Sequence, residues 1–155
     1  MDRVEFAGHC PIESAMGLVG SRPAMLIMRE VFYGTRRFDD FVQRVEMAPA
    51  TASTHLRALT EAGLLERQPY REPGGRTRDE YALTEAGADL MPVLIGLFEW
   101  GRRYTQAQPL IEFEHAGCGH PIDVHVQCTA GHDLAPEDIT LRPAATRSET
   151  GGGGE

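Results

Sequence analysis

The stretch from Phe38 to Leu83 constrains the fold more than any other. Phe38, Phe41, Val42 and Val45 recur at i, i+3, i+4 and i+7, the spacing of one helix face. After a short turn beginning at Glu46, Pro49 suits the first position of a new helix. That helix carries Ala52, Leu56 and Leu59 on a single stripe, and Gly63 stops it. Leu64 to Arg71 and Arg78 to Leu83 then read as two strands. The Pro-Gly-Gly between them is a strong turn signal. Helix, short turn, helix, hairpin is an order that few small folds satisfy.

The flanks read as helix. One is predicted from Pro11 to Val19, interrupted by Gly20 and Ser21. The next opens near Pro23, is apolar at Met25, Leu26, Met28, Val31 and Phe32, and ends at Gly34. Beyond the hairpin, Thr84 caps a helix that Gly87 would weaken. The last long helix, "MPVLIGLFEWGRRY", is apolar on more than one face, at Val93, Leu94, Leu97, Phe98, Trp100 and Tyr104. After Pro109 the texture changes, and Ile122, Val124 and Val126 alternate with polar residues. The expected organisation is mainly α with a small β wing over residues 1–106, a small β-rich appendage over 107–143, and a disordered tail over 144–155.

The outward face of the helix that starts at Pro49 is unusual. At 100° per residue, Ala50, Ser53, Thr54 and Arg57 lie opposite Ala52, Leu56 and Leu59, with Thr51 at the edge. Long side chains there would hold a helix away from base edges, and acidic ones would repel phosphate. Small hydroxyl residues allow close approach to a DNA groove and can hydrogen-bond to bases or phosphates. Arg57 is the candidate for a guanine or phosphate contact. Arg71, Arg76 and Arg78 bracket the Gly-rich tip of the hairpin, where they can reach the DNA backbone or minor groove. Together these features form a winged helix-turn-helix. An ordinary amphipathic surface helix explains the face alone, and a winged helix used for protein contacts is the main rival reading.

Charge does not exclude this. The chain carries a net −8, but residues 1–105 hold 13 Arg against 15 acids while residues 106–155 hold 2 Arg against 8 acids. Between Arg36 and Arg78 there are 8 Arg and 6 acids, so the candidate DNA segment is slightly basic, and local charge governs binding. No apolar run approaches membrane-spanning length, and the N-terminal stretch lacks the basic and apolar regions of a signal peptide. No membrane partner and a cytoplasmic location are expected. Three cysteines, Cys10, Cys118 and Cys128, are too few and too odd for a disulfide framework.

The run from Cys10 to Gly101 resembles the HxlR-type transcription regulators, relatives of the MarR group. The likeness rests on Cys10-Pro11, "LIMREVFYGTRRFDDF", Pro49 opening the second helix of the pair, "LTEAGLLER", "EYALTEAG" and Glu99-Trp100. It covers about residues 10–104. It implies a bacterial DNA-binding repressor or activator that is dimeric through its terminal helices and reads a roughly palindromic operator in double-stranded DNA. Two departures stand out. Ser21, Arg22 and Pro23 replace the usual residues before the second helix, and Ala48 stands where the family has a Ser or Thr cap.

Two signals point to control. The resemblance implies that Cys10 could sense oxidants or electrophiles, and a helix N-terminus favours a thiolate; a small structural cysteine at a dimer interface is the plainer alternative. A small-molecule or redox effector is therefore an expected partner. In the appendage, His115-x2-Cys118 and Cys128-x3-His132 are spaced like zinc ligand pairs. Longer relatives carry a similar extension with a further cysteine near the position of Gly131. A structural zinc and a hairpin with inert Cys and scattered His both remain open. No catalytic constellation is present in the sequence, so the chain is read as a non-enzyme, with a metalloenzyme built on the Cys/His cluster as the remote alternative.

Overall fold

A computed structural model describes residues 10–71, 75 and 77–142. The chain divides between Glu112 and Phe113 into two units. The first contains α1 (Pro11–Val19), α2 (Arg22–Phe32), α3 (Phe38–Val45), α4 (Pro49–Glu61), β1 (Leu65–Tyr70), β2 (Arg78–Leu83), α5 (Glu85–Ala88) and α6 (Met91–Tyr104). Among the described residues no helix is long and apolar enough to cross a membrane.

Local chemistry sets the helix ends. The side chain of Ser21 accepts from the Ala24 backbone N–H at 3.3 Å and caps α2, with Pro23 in the first turn. At the end of α3, Glu46 takes a left-handed conformation at φ 53°, an arrangement that generally costs about 1–2 kcal/mol outside glycine. It lets the Met47 N–H reach back to the Val42 carbonyl, and the chain turns through Met47 and Ala48 straight into α4. Gly63, at φ 71°, then redirects the chain from α4 into β1.

The core gathers residues from four helices and the hairpin. Ile27, Met28, Val31, Phe41, Leu56, Leu59 and Leu65 are wholly buried, and Tyr81 joins them edge-on to Phe41 at 5.9 Å between ring centroids. Ile27 is the addition to the expected set. Met25 and Phe32 pack only partly, because the buried stripe of α2 runs through Ala24, Ile27, Met28 and Val31. Gly87 has a different role from the one its propensity suggests. A Cβ there would fall 2.1 Å from the Leu64 carbonyl oxygen, so its bare backbone lets α5 seat against the α4–β1 corner. Thr84 locks that corner: its hydroxyl donates to the Gly63 carbonyl at 2.6 Å and accepts from the Gly87 N–H at 3.1 Å.

The hairpin is antiparallel, pairing Leu65 with Leu83 through to Tyr70 with Arg78. A third segment joins it. The Tyr81 N–H donates to the Arg36 carbonyl at 2.8 Å, and Arg37 bridges Glu80, so the residues just before α3 add an edge to the wing.

The second unit corrects the expectation of a β-rich appendage. Among its described residues there is no strand. Two isolated bridges, Glu114 with Pro121 and Gln127 with Asp133, and a 3-10 turn at Pro136–Asp138 make up its regular structure. Ile122, Val124 and Val126 are exposed, and alternation does not become a sheet where there is no second layer to cover its apolar face. The proposed tail over 144–155 lies outside the described residues.

Candidate nucleic-acid interface

The geometry of α4 follows from its two stripes. Ala52, Leu56 and Leu59 are buried, which leaves Ala50, Ser53, Thr54 and Arg57 exposed on the opposite side and Thr51 half-buried at its edge. Thr54 donates its hydroxyl to the Ala50 carbonyl at 2.9 Å, so it lies flat along the helix and offers its oxygen as an acceptor. Arg57 has Nε 3.9 Å from Oε1 of Glu61, one turn on, with both side chains exposed. Such a pair is worth under about 1 kcal/mol, so the guanidinium can turn toward a duplex.

In the wing, Arg71 donates from Nε to the Gly75 carbonyl at 3.0 Å, folding back across the tip. Arg78 is exposed directly across the ladder from Tyr70. Arg76 lies outside the described residues. The structure adds groups that sequence patterns did not single out. Arg37 is the N-cap residue of α3 and holds its guanidinium 4.8 Å from the centre of the Tyr70 ring. With the Arg36 and Arg37 backbone on β2, this residue ties the entry of the helix pair to the wing. The preceding pattern gave no cue, because the contact joins positions more than thirty residues apart. A groove of about 630 Å³ opens beside it, lined by Arg37, Tyr70 and Arg78 but also by Asp39, Asp40 and Asp79. Three carboxylates beside two guanidiniums make it a poor phosphate cradle.

Glu30 is the second addition. It is a buried carboxylate at the end of α2, held by Arg29 Nη2 at 2.7 Å and by the Thr35 hydroxyl at 3.2 Å, with Arg44 Nη1 of α3 4.0 Å away. Through the Thr35 hydroxyl the network ties the turn before α3 to the end of α2. Only the carboxylate is desolvated: Arg29 and Arg44 keep 36% and 61% of their side chains exposed, so solvent screens the ionic part of the network.

Cys10 is the N-cap residue of α1, half-buried, with its carbonyl accepting from the Ser14 N–H at 3.1 Å. In the second unit the four candidate metal ligands stand as two pairs. His115 Nδ1 lies 3.2 Å from Cys118 Sγ, and Cys128 Sγ lies 3.5 Å from His132 Nδ1. Among the described residues no three His, Cys, Asp or Glu side chains converge as a metal site. Backbone hydrogen bonds, from His132 first and then Ala130, hold the Cys128 thiol below its ordinary pKa.

Comparison with known proteins agrees with this architecture. The HxlR-like helix-turn-helix family matches residues 18–109. The uncharacterized HTH-type transcriptional regulator Rv3095 of Mycobacterium tuberculosis is 38% identical over 132 residues, which cover 83% of this chain and 82% of that protein. The crystal structure of PA1607 superposes with a TM-score of 0.77 at 27% identity, covering 90% of this chain and 98% of that one. The redox regulator HypR in its oxidized form reaches 0.56 at 25% identity over 63% of this chain and 100% of its own. Helix pair, wing and sequence converge on one assignment: the chain belongs to the HxlR-like helix-turn-helix family.

Proposed function

We propose that this chain, a DNA-binding transcription regulator, acts in the cytoplasm as a homodimer that reads a roughly palindromic operator. Each subunit lays α4 in a major groove and its arginine-bearing wing against the flanking backbone. The observation that carries the reading is the division of α4. One stripe is completed by the subunit's own core, and the other presents Ala50, Ser53, Thr54 and Arg57 with nothing from the core covering them. The dimer is supported by α6, where Met91, Val93, Leu97, Trp100 and Tyr104 stay exposed and Ile95 alone is buried. A two-fold pair would set two α4 helices about one DNA turn apart.

A gel shift with the promoter region beside the gene tests this. Retarded mobility that weakens steeply with salt supports it. Unchanged mobility at micromolar protein overturns it and leaves the winged helix as a protein-binding module.

The likeness to HypR, described as a redox regulator, favours a second element: Cys10 as an oxidant-responsive thiol controlling operator release. Diamide should then release the wild type from its operator and leave Cys10→Ser bound. Equal response of both proteins would exclude Cys10.

A further inference from the structure

The burial along β1 breaks its own pattern. Leu65 is buried at the base, Glu66 to Pro69 are exposed, and Tyr70, the last paired residue before the tip, is half-buried again. A two-stranded hairpin is marginal alone, and its outer end has the least to hold it. Pro69, beside Tyr70, has no N–H to lend to a ladder. Burial thus returns where the hairpin itself can supply little of it.

The cover comes from the entry of α3. The Arg37 guanidinium carbon lies 4.8 Å from the Tyr70 ring centre, nearer than Arg29 to Tyr33 or Arg67 to Tyr81, both at 5.8 Å. The Arg37 backbone is pinned on two sides. Its carbonyl accepts from the Phe41 N–H at 3.2 Å in the first turn of α3, and the residue bridges Glu80 of β2. The neighbouring Arg36 carbonyl accepts from the Tyr81 N–H at 2.8 Å. Phe41 and Tyr81 are core residues, so the guanidinium reaches the wing from a rigid base.

Two features decide what this contact does. Asp39, Asp40 and Asp79 line the groove beside Arg37. Those carboxylates favour a cation there and repel a phosphate, so Arg37 acts through what it positions. Tyr70 in turn adjoins both described arginines of the outer wing: Arg71 follows it in the chain, and Arg78 faces it across the ladder. Arg71 also donates from Nε to the Gly75 carbonyl at 3.0 Å. Fixing Tyr70 therefore sets where both guanidiniums leave the wing.

We propose that Arg37 and Tyr70 form a latch that sets the angle of the wing to the helix pair. Arg37 is then a positioning residue for DNA recognition, acting through Tyr70 on Arg71 and Arg78. The proposal rests on the reading that the wing lies against the operator backbone. The latch is closed in the free chain, so a duplex meets arginines already in place and less order has to be gained on binding.

The free full chain is measured first, by the ring-current shift of the Arg37 side-chain protons in NMR. Tyr70→Phe should keep that shift and Tyr70→Leu should abolish it, with both thermal midpoints near wild type. Operator binding follows. An exposed cation–π contact contributes about two- to fivefold per subunit, so Arg37→Met and Tyr70→Leu should each weaken a two-fold complex by about four- to twenty-five-fold. Tyr70→Phe should bind like wild type, and the double variant Arg37→Met, Tyr70→Leu should bind no worse than either single one. Ethylation interference should lose the flanking phosphates touched by the wing and keep those at α4, a local pattern that a general loss of stability does not produce. Additive losses, or a loss in Arg37→Met that Tyr70→Leu does not share, would make Arg37 a direct phosphate contact and overturn the latch. Wild type and variants binding alike would overturn it as well. Wild type that retards no promoter DNA sinks the operator reading instead, and the recognition role with it, so the two failures are distinguishable.

Discussion

Helices α4 and α6 are nearly equal in length but opposite in what they leave uncovered. In α4 every large apolar side chain is buried, and what remains outside is small or polar. In α6 only Ile95 is buried, while Leu97 and Trp100 are 51% and 60% exposed, and the Trp100 and Tyr104 rings lie 5.6 Å apart. The first helix is complete within one subunit and bare of apolar surface, as suits contact with a charged, hydrated duplex. The second is incomplete alone, as suits contact with another apolar surface. On the proposed homodimer the contrast separates folding from assembly, and mutations can break it.

The largest effect belongs to the buried stripe. Leu56→Ala should destabilise the fold by about 2–5 kcal/mol in denaturant unfolding, through lost transfer energy and the cavity left behind. Leu97→Ala, the same chemical change on α6, should cost well under about 1 kcal/mol in dilute protein. Similar losses at both positions would erase the distinction between the helices.

Next comes assembly. Leu97→Asp should leave the helical circular dichroism intact but shift the protein toward monomer in analytical ultracentrifugation. Burying a leucine contributes about 1.5–3 kcal/mol, and a two-fold interface contains it twice, so the dimer should weaken by more than about tenfold. An unaltered sedimentation profile would remove α6 from the interface.

Smaller still is the effect on recognition. Arg57→Ala should cost about 1–3 kcal/mol of operator binding and relax preference at one base pair, read by competition against single-substituted operators. A uniform loss at every sequence, with a shallower salt dependence, would instead make Arg57 a phosphate contact.

Much of this was legible in the residues because its causes are local. Pro11 and Pro49 mark helix starts, Gly63 marks a stop, and the 3.6-residue spacing of Ala52, Leu56 and Leu59 orients α4. The unread parts depend on distance. Arg37 acquires its place only when the chain before α3 meets β2, and Glu30 reads as an ordinary surface acid until Thr35 and Arg44 close over it. Ile27 was hidden for a similar reason, since α2 is apolar on several sides and only packing decides which side faces inward. Alternation at Ile122, Val124 and Val126 misled because periodicity records a face without supplying its cover.

The last and smallest effect concerns the entry of α4. Ser21 caps α2, but Ala48 offers α4 no side-chain acceptor, although its backbone, at φ −61° and ψ 141°, already has cap geometry. Ala48→Ser should therefore stabilise the protein by about 1 kcal/mol in thermal or denaturant unfolding. Ala48→Asp should do at least as well, because a carboxylate also favours the positive end of the helix. DNA binding separates the two. If the start of α4 lies against a phosphate, the added carboxylate repels it, so Ala48→Asp should weaken the operator complex while Ala48→Ser leaves it nearly unchanged. Should both variants bind like wild type, the first turn of α4 faces solvent in the complex, and contact begins only at Ser53 and beyond.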